Sequence, residues 1–278
     1  MKLRRRPLMI PRNLDRWSER FRNAWAATAS NGDRCLKSIS CCWRKTNQPM
    51  ALLEISDLIK SYRDPEGAMH RVIDVRRFQL EPGQQLALRG ESGSGKTTFL
   101  NLIAGILQAD GGTIRLSDEE MTALGEAGRD RLRARTLGYI FQTFNLLQGC
   151  TCLENVLLGM KFGKGVERAW GEELLRRVGL EQKMNYLPRQ LSVGQQQRAA
   201  VARALANRPR LVLADEPTGN LDHANAAEAL RLIRESCAAT GAALLLVSHD
   251  REVLAGFEQV ADLRELNQAG RSGAAHPP

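Results

Sequence analysis

Gly90-Glu91-Ser92-Gly93-Ser94-Gly95-Lys96-Thr97 separates a short apolar strand, Gln85 to Arg89, from a helical stretch running from Thr97 to Leu107. The octet fits G-x-x-x-x-G-K-[ST]. Its glycines let the backbone curl so that successive N–H groups face inward as a nest for anionic oxygens. The helix that opens at its end adds the positive pole of its dipole. Lys96 is then expected to reach the β- and γ-phosphates of a nucleotide, and the Thr97 hydroxyl to ligate Mg2+.

About 120 residues further on, Leu211-Val212-Leu213-Ala214-Asp215-Glu216 is an apolar strand ending in two carboxylates. In a parallel sheet, ligands bind at the carboxyl ends of the strands, where the glycine loop also lies. Adjacent strand residues point in opposite directions, so the two acids are expected to have different tasks. Asp215 is placed to hold Mg2+, directly or through water, and Glu216 to orient and polarise an attacking water. Taken alone, such a strand end is a common polar cap; beside the phosphate loop it reads as a hydrolytic site.

From Met50 onward, strand-like and helical runs alternate, the pattern of an α/β domain with a largely parallel sheet. Ala51 to Ile55 reads as a strand, followed by Tyr62 and a turn at Asp64-Pro65-Glu66-Gly67. Leu137 to Phe141 and Ala243 to Val247 read as further strands. Residues 150–208 are mostly helical, with breaks at Gly163-Lys164-Gly165 and Leu187-Pro188. No apolar run approaches the roughly 18 residues needed to cross a bilayer, so a membrane role is expected to come through a partner or a surface contact.

The 278 residues carry a net charge of +9, with 43% hydrophobic and 26% charged residues. The charge excess is local. Residues 1–49 hold 12 Lys and Arg against 3 Asp and Glu, leaving 28 of each sign in the remainder. A basic nucleic-acid-binding face on the domain therefore has no support from net charge. Within 1–49, Leu14, Trp17, Phe21 and Trp25 fall at helical spacing among arginines, as in a helix lying on an anionic membrane surface. A disordered tail, or sequence upstream of a start at Met50, accounts for the same segment. The six cysteines (Cys35, Cys41, Cys42, Cys150, Cys152 and Cys237) include no C-x-x-C pair, and no His stands at zinc spacing from them, so reduced thiols are expected.

The phosphate loop and acidic strand identify a P-loop NTPase without saying which kind. Leu191-Ser192-Val193-Gly194-Gln195-Gln196-Gln197-Arg198 resembles the signature of the ABC ATPases. The other family motifs follow in order. Tyr62 matches the aromatic that stacks on adenine. Gln142 matches the glutamine that touches Mg2+ or water and links the site to a helical subdomain. Gly219-Asn220-Leu221-Asp222 matches the loop that packs across the dimer seam, and His249 matches the switch histidine that contacts the γ-phosphate. His70, His223 and His276 match nothing. The stretches Tyr139 to Leu147 and Ala214 to Asp222 look like one bacterial subgroup, which serves lipoprotein release, macrolide export and related permeases.

The resemblance covers roughly residues 50–270. It implies an α/β P-loop fold of ABC type: a largely parallel core, an antiparallel β subdomain, and a helical subdomain at about 143–208. Residues 1–49 would be an extension and 271–278 a flexible tail. ATP and Mg2+ are the implied cofactors. Gly90 to Thr98 (Glu91, Ser92, Gly93, Ser94, Gly95, Lys96 and Thr97 between them), Tyr62 and Asp222 would bind nucleotide in one subunit. Ser192, Gly194 and Gln195 would contact it from the opposite subunit. Lys96, Gln142, Glu216 and His249 would carry catalysis, with Thr97, Gln142 and Asp215 as metal ligands. The implied partners are a second copy or a homologous domain in a head-to-tail dimer, and an integral membrane permease seated near Phe144, Leu146 and Leu147, three residues that serve equally as local core. The expected place is the cytoplasmic face of the inner membrane, with no nucleic acid involved.

Val193 departs from the family, which most often has Gly there; Thr98 and Ser248 are conservative variants of little expected consequence. A soluble ABC ATPase acting on nucleic acid or ribosomes is the competing expectation. Such proteins carry two domains in tandem or a long coiled-coil insertion, and this chain has neither. A non-enzymatic ATP-retaining regulator is opposed by Lys96, Asp215, Glu216 and His249 all being in place.

Overall fold

The described residues, 51–269 of a computed structural model, begin in an antiparallel layer; the expectations placed on 1–49 and on the tail lie outside them. Strand β1 (Leu53–Arg63) turns at Asp64-Pro65-Glu66-Gly67 into β2 (Met69–Leu80) and pairs with it along its length. Both strands exceed the sequence expectation, which ended the first at Ile55 and marked none over 69–80. Leu53, Ile55 and Leu58 point inward, but Asp57 sits at φ 48° and breaks the alternation between them. In β2, Ile73, Val75, Phe78 and Leu80 are buried while the arginines between them face solvent.

Strand β3 (Gln85–Arg89) then leads through the glycine loop into helix α1 (Lys96–Ile103). The helix stops short of the expected Leu107. Gly105 takes φ 65°, its N–H bonds Leu102 O at 3.0 Å, and the Ile106 N–H bonds Asn101 O at 2.9 Å. That paired bonding is a Schellman stop, which glycine allows without strain. Strands β4 (Gly111–Leu116) and β5 (Glu119–Glu120) return to the antiparallel layer, in order β2-β1-β4-β5. Helix α2 (Glu126–Thr136) feeds β6 (Leu137–Ile140), one residue shorter than expected.

Helices α3 (Cys152–Lys161), α4 (Arg168–Arg177) and α5 (Val193–Ala204) occupy the next stretch, broken where glycine and proline were expected to break it. Strand β7 (Leu211–Asp215), helix α6 (His223–Thr240), strand β8 (Ala243–Ser248), helix α7 (Arg251–Ala255), strand β9 (Val260–Asp262) and helix α8 (Leu263–Leu266) complete the domain. The second sheet is parallel throughout, in order β6-β7-β8-β3-β9.

The parallel sheet divides two apolar cores. Leu211, Leu213, Leu245 and Val247 pack with α1 and the antiparallel layer; Val212, Ala214, Leu244 and Leu246 pack with α5 and α6. Both faces are covered, which is why these strands lack polar alternation. The same parity sends Asp215 toward α1. Among the described residues no helix is long and apolar enough to cross a membrane.

Candidate functional site

Three parallel strands end side by side at the site. β3 delivers the glycine loop, β7 delivers Asp215 and Glu216, and β8 delivers Ser248 and His249. Gly95 caps α1 with φ 89° and ψ 13°, a left-handed conformation that a side chain disfavours. No side chain caps the helix and no acid stands in its first turn, so its N–H groups face the loop's interior.

Lys96 is folded into this loop, its side chain 8% exposed. Its ammonium donates to Gly90 O at 2.8 Å and Glu91 O at 3.0 Å, and lies 3.1 Å from Glu216 Oε1. The Thr97 hydroxyl lies beside the Asp215 carboxylate. Burial holds the Asp215 carboxyl above its ordinary range and the Glu216 charge adds to this, against the lowering effect of Thr97 and Lys96.

Glu216 has a left-handed backbone, φ 44°, and its N–H bonds Val247 O at 3.0 Å. Oε1 meets His249 Nδ1 at 2.7 Å as well as Lys96; Oε2 accepts from the Ser248 hydroxyl at 3.0 Å. Ser248, expected to matter little, is thus a direct partner of the expected base. Nothing within its own stretch of sequence signals the contact, which joins residues 32 apart.

The donor set suits a triphosphate and a hard cation. Ser94 Oγ is buried in the loop with no hydrogen-bond partner. Thr97 and Asp215 offer oxygens, the ligands Mg2+ prefers. Among the described residues no cluster of three or more His, Cys, Asp or Glu could hold a metal by itself. A cation here would share its coordination with nucleotide oxygens, as Mg2+ does in kinase and ATPase sites. Beside the loop lies a hollow of about 580 Å3 lined by Arg71, Val72, Ser92, Gly93, Arg264 and Asn267. Tyr62, 41% exposed, ends β1 opposite His70, two residues before Val72.

Gln142 follows β6 on a solvent-facing loop, where its carbonyl accepts from Asn220 Nδ2 at 2.7 Å. Phe144 and Asn145 both have positive φ, 49° and 50°. The Arg203 guanidinium of α5 donates to both their carbonyls, to Phe144 O at 2.7 Å. Sequence reasoning passed over Arg203. Of the three apolar residues expected at the permease contact or in local core, Leu146 belongs to the core and Phe144 packs against it, while Leu147 is exposed. The groove there is instead lined by Phe141, Phe162, Arg133, Asn145 and Arg203, with a volume of about 410 Å3.

Ser192 caps α5 in a capping box: its hydroxyl accepts from Gln195 N at 3.3 Å, and its N–H donates to Gln195 Oε1 at 3.1 Å. Ser192 and Val193 are exposed. Asp222, expected among the nucleotide contacts, caps α6, and Asn225 occupies both its oxygens at 2.9 and 2.6 Å.

Residues 73–219 match the family model described as ABC transporter. The chain belongs to the ABC transporter family. As a member it is an ATP-binding and ATP-hydrolysing protein. This ABC protein is 41% identical over 219 residues to the lipoprotein-releasing system ATP-binding protein LolD of Pseudomonas fluorescens, covering 77% of this chain and 96% of that one. It is 39% identical over 235 residues to the macrolide export ATP-binding/permease protein MacB of Syntrophobacter fumaroxidans, covering 81% of this chain but only 32% of that one. Both names fall in the subgroup expected from the sequence. An ATP-binding cassette solved as a dimer in a post-hydrolysis state with ADP and Pi superposes with a TM-score of 0.70 at 30% identity, covering 78% of this ABC protein and 95% of the other.

Proposed function

We propose that this ABC protein is the energy-coupling subunit of a membrane transporter, closing on a second such domain when ATP binds and reopening after hydrolysis. The observation that carries the reading is the convergence of Lys96, Thr97 with Asp215, Glu216 and His249 at the ends of three neighbouring strands.

In this reading the loop N–H groups and Lys96 bind the β- and γ-phosphates. Thr97 and Asp215, with Gln142, hold Mg2+, which would neutralise charge on the phosphate oxygens. Glu216 orients the attacking water and accepts its proton, while His249 contacts the γ-phosphate. Tyr62 stacks on adenine. The exposed N-terminus of α5, with Ser192, Gly194 and Gln195, faces the nucleotide of the opposite subunit in a head-to-tail pair. Val193 leaves that role in place, because the Ser192 cap and Gly194 are retained.

The groove beside Gln142, with Phe141 and Phe162 on its walls, is the docking place for a short helix of an integral membrane permease. The protein would then sit peripherally on the cytoplasmic face of the inner membrane. The LolD and MacB relatives favour a transporter over a soluble ATPase acting on nucleic acid or ribosomes.

The test is to tag the Glu216→Gln chain, solubilise membranes of the source cell in detergent and identify what co-purifies. A polytopic membrane protein in stoichiometric amount is expected. Recovery of ribosomes or nucleic acid, or of the soluble protein alone, overturns the transporter assignment.

A further inference from the structure

Ser248 is fully buried, and its carbonyl and hydroxyl make three hydrogen bonds that join three parts of the site. Its carbonyl accepts the Gly90 N–H, the first residue of the phosphate loop, at 3.3 Å. Its hydroxyl accepts the Asp250 N–H at 3.1 Å, just past the switch histidine. The same hydroxyl donates to Glu216 Oε2 at 3.0 Å. A hydroxyl has one proton to give, and Asp250 N–H is itself a donor, so that proton is directed to the carboxylate.

The two oxygens of Glu216 are therefore held differently. Oε2 meets a neutral hydroxyl on a buried strand. Oε1 meets two cationic or ionisable side chains, Lys96 at 3.1 Å and His249 at 2.7 Å, and His249 is the exposed member of the group. We infer that Ser248 is a positioning residue for hydrolysis: its hydroxyl fixes Oε2 and so aims Oε1 at the attacking water when Lys96 and His249 turn to phosphate. Glu216 also has a left-handed backbone, φ 44°, which is uncommon outside glycine.

This inference rests on the ATPase reading, and kinetics on the full chain separate the two. ATP turnover and nucleotide affinity would be measured for wild type, Ser248→Ala, Ser248→Thr and Ser248→Cys, with the melting temperature of each. Loss of a hydrogen bond to a charged group predicts that Ser248→Ala lowers kcat by about tenfold or more, with KM and the ATP dissociation constant within about twofold of wild type. Threonine, which keeps the hydroxyl, restores most of kcat, and cysteine, a weak donor, falls between. Equal kcat in wild type and Ser248→Ala overturns the inference, as does a threonine variant no faster than alanine at the same melting temperature. Should the alanine variant not fold, a cysteine variant with wild-type kcat overturns it equally. Absence of turnover in wild type would instead remove the ATPase reading itself.

Discussion

The Lys96 ammonium and the Glu216 carboxylate lie 3.1 Å apart, with side chains 8% and 9% exposed. The cation proposed to bind phosphate and the proposed base thus form one buried pair, which would tie nucleotide binding to the state of the glutamate. A buried charge that loses its partner is costly. Lys96→Ala is expected to destabilise the protein by about 3 kcal/mol or more as well as abolish ATP binding. Glu216→Gln removes the counter-charge but keeps an amide oxygen that accepts from Lys96, with Asp215 still nearby, so it should cost less, about 1–2 kcal/mol. Urea unfolding of both variants checks the difference; equal losses would mean that the amide does not stand in for the carboxylate as partner of Lys96.

Arg203 ties α5 to the Gln142 loop through two backbone carbonyls in left-handed conformation. Removing the guanidinium leaves both carbonyls short of a donor, a cost of about 2 kcal/mol. Arg203→Ala should accelerate proteolytic cleavage between Gln142 and Leu147. Arg203→Lys should rescue poorly, because one ammonium cannot reproduce the planar fork. Cleavage at the wild-type rate in both variants would refute this.

Ser192 supplies both halves of the α5 capping box with Gln195. Ser192→Ala is expected to lower stability by about 1 kcal/mol. It should also abolish ATP-dependent pairing of two subunits while leaving ATP binding to each intact. Fluorescent-nucleotide titration and sedimentation report the two properties separately. Pairing at wild-type strength would exclude Ser192 from the interface.

Cys237 lies within the α5–α6 core, where burial pushes its thiol up to about 12, and burial also raises Cys152. The reactive thiolate is correspondingly scarce at neutral pH. Iodoacetamide at neutral pH should leave both unmodified in the folded protein and label both in denaturant, as peptide mass analysis would show. Rapid labelling of Cys237 in the native state would mean that this core opens readily.

The site was legible where its chemistry is contiguous in sequence. The glycine loop, Asp215-Glu216 and the Ser192 segment each stand out within eight residues, and the apolar runs Leu211 to Ala214 and Ala243 to Val247 announce a doubly covered sheet. What escaped depends on contacts between distant residues. Ser248 meets Glu216 across 32 positions and Arg203 meets Phe144 across 59, so neither neighbourhood signals the bond. β2 was missed because arginines cover its outer face, and the extent of β1 because Asp57 interrupts its inward alternation. Leu146 read equally as docking surface or core because an apolar residue in a loop carries no mark of which way it points; it points into the core.

In the proposed cycle ATP closes two of these domains, and hydrolysis directed by Glu216 releases them. Light scattering on the full-length Glu216→Gln chain, with Mg2+ and either ATP or ADP, tests it most directly. A doubled mass with ATP, the starting mass with ADP, and negligible phosphate release are expected. A chain that binds ATP yet keeps its starting mass, or that hydrolyses ATP at the wild-type rate, would contradict it.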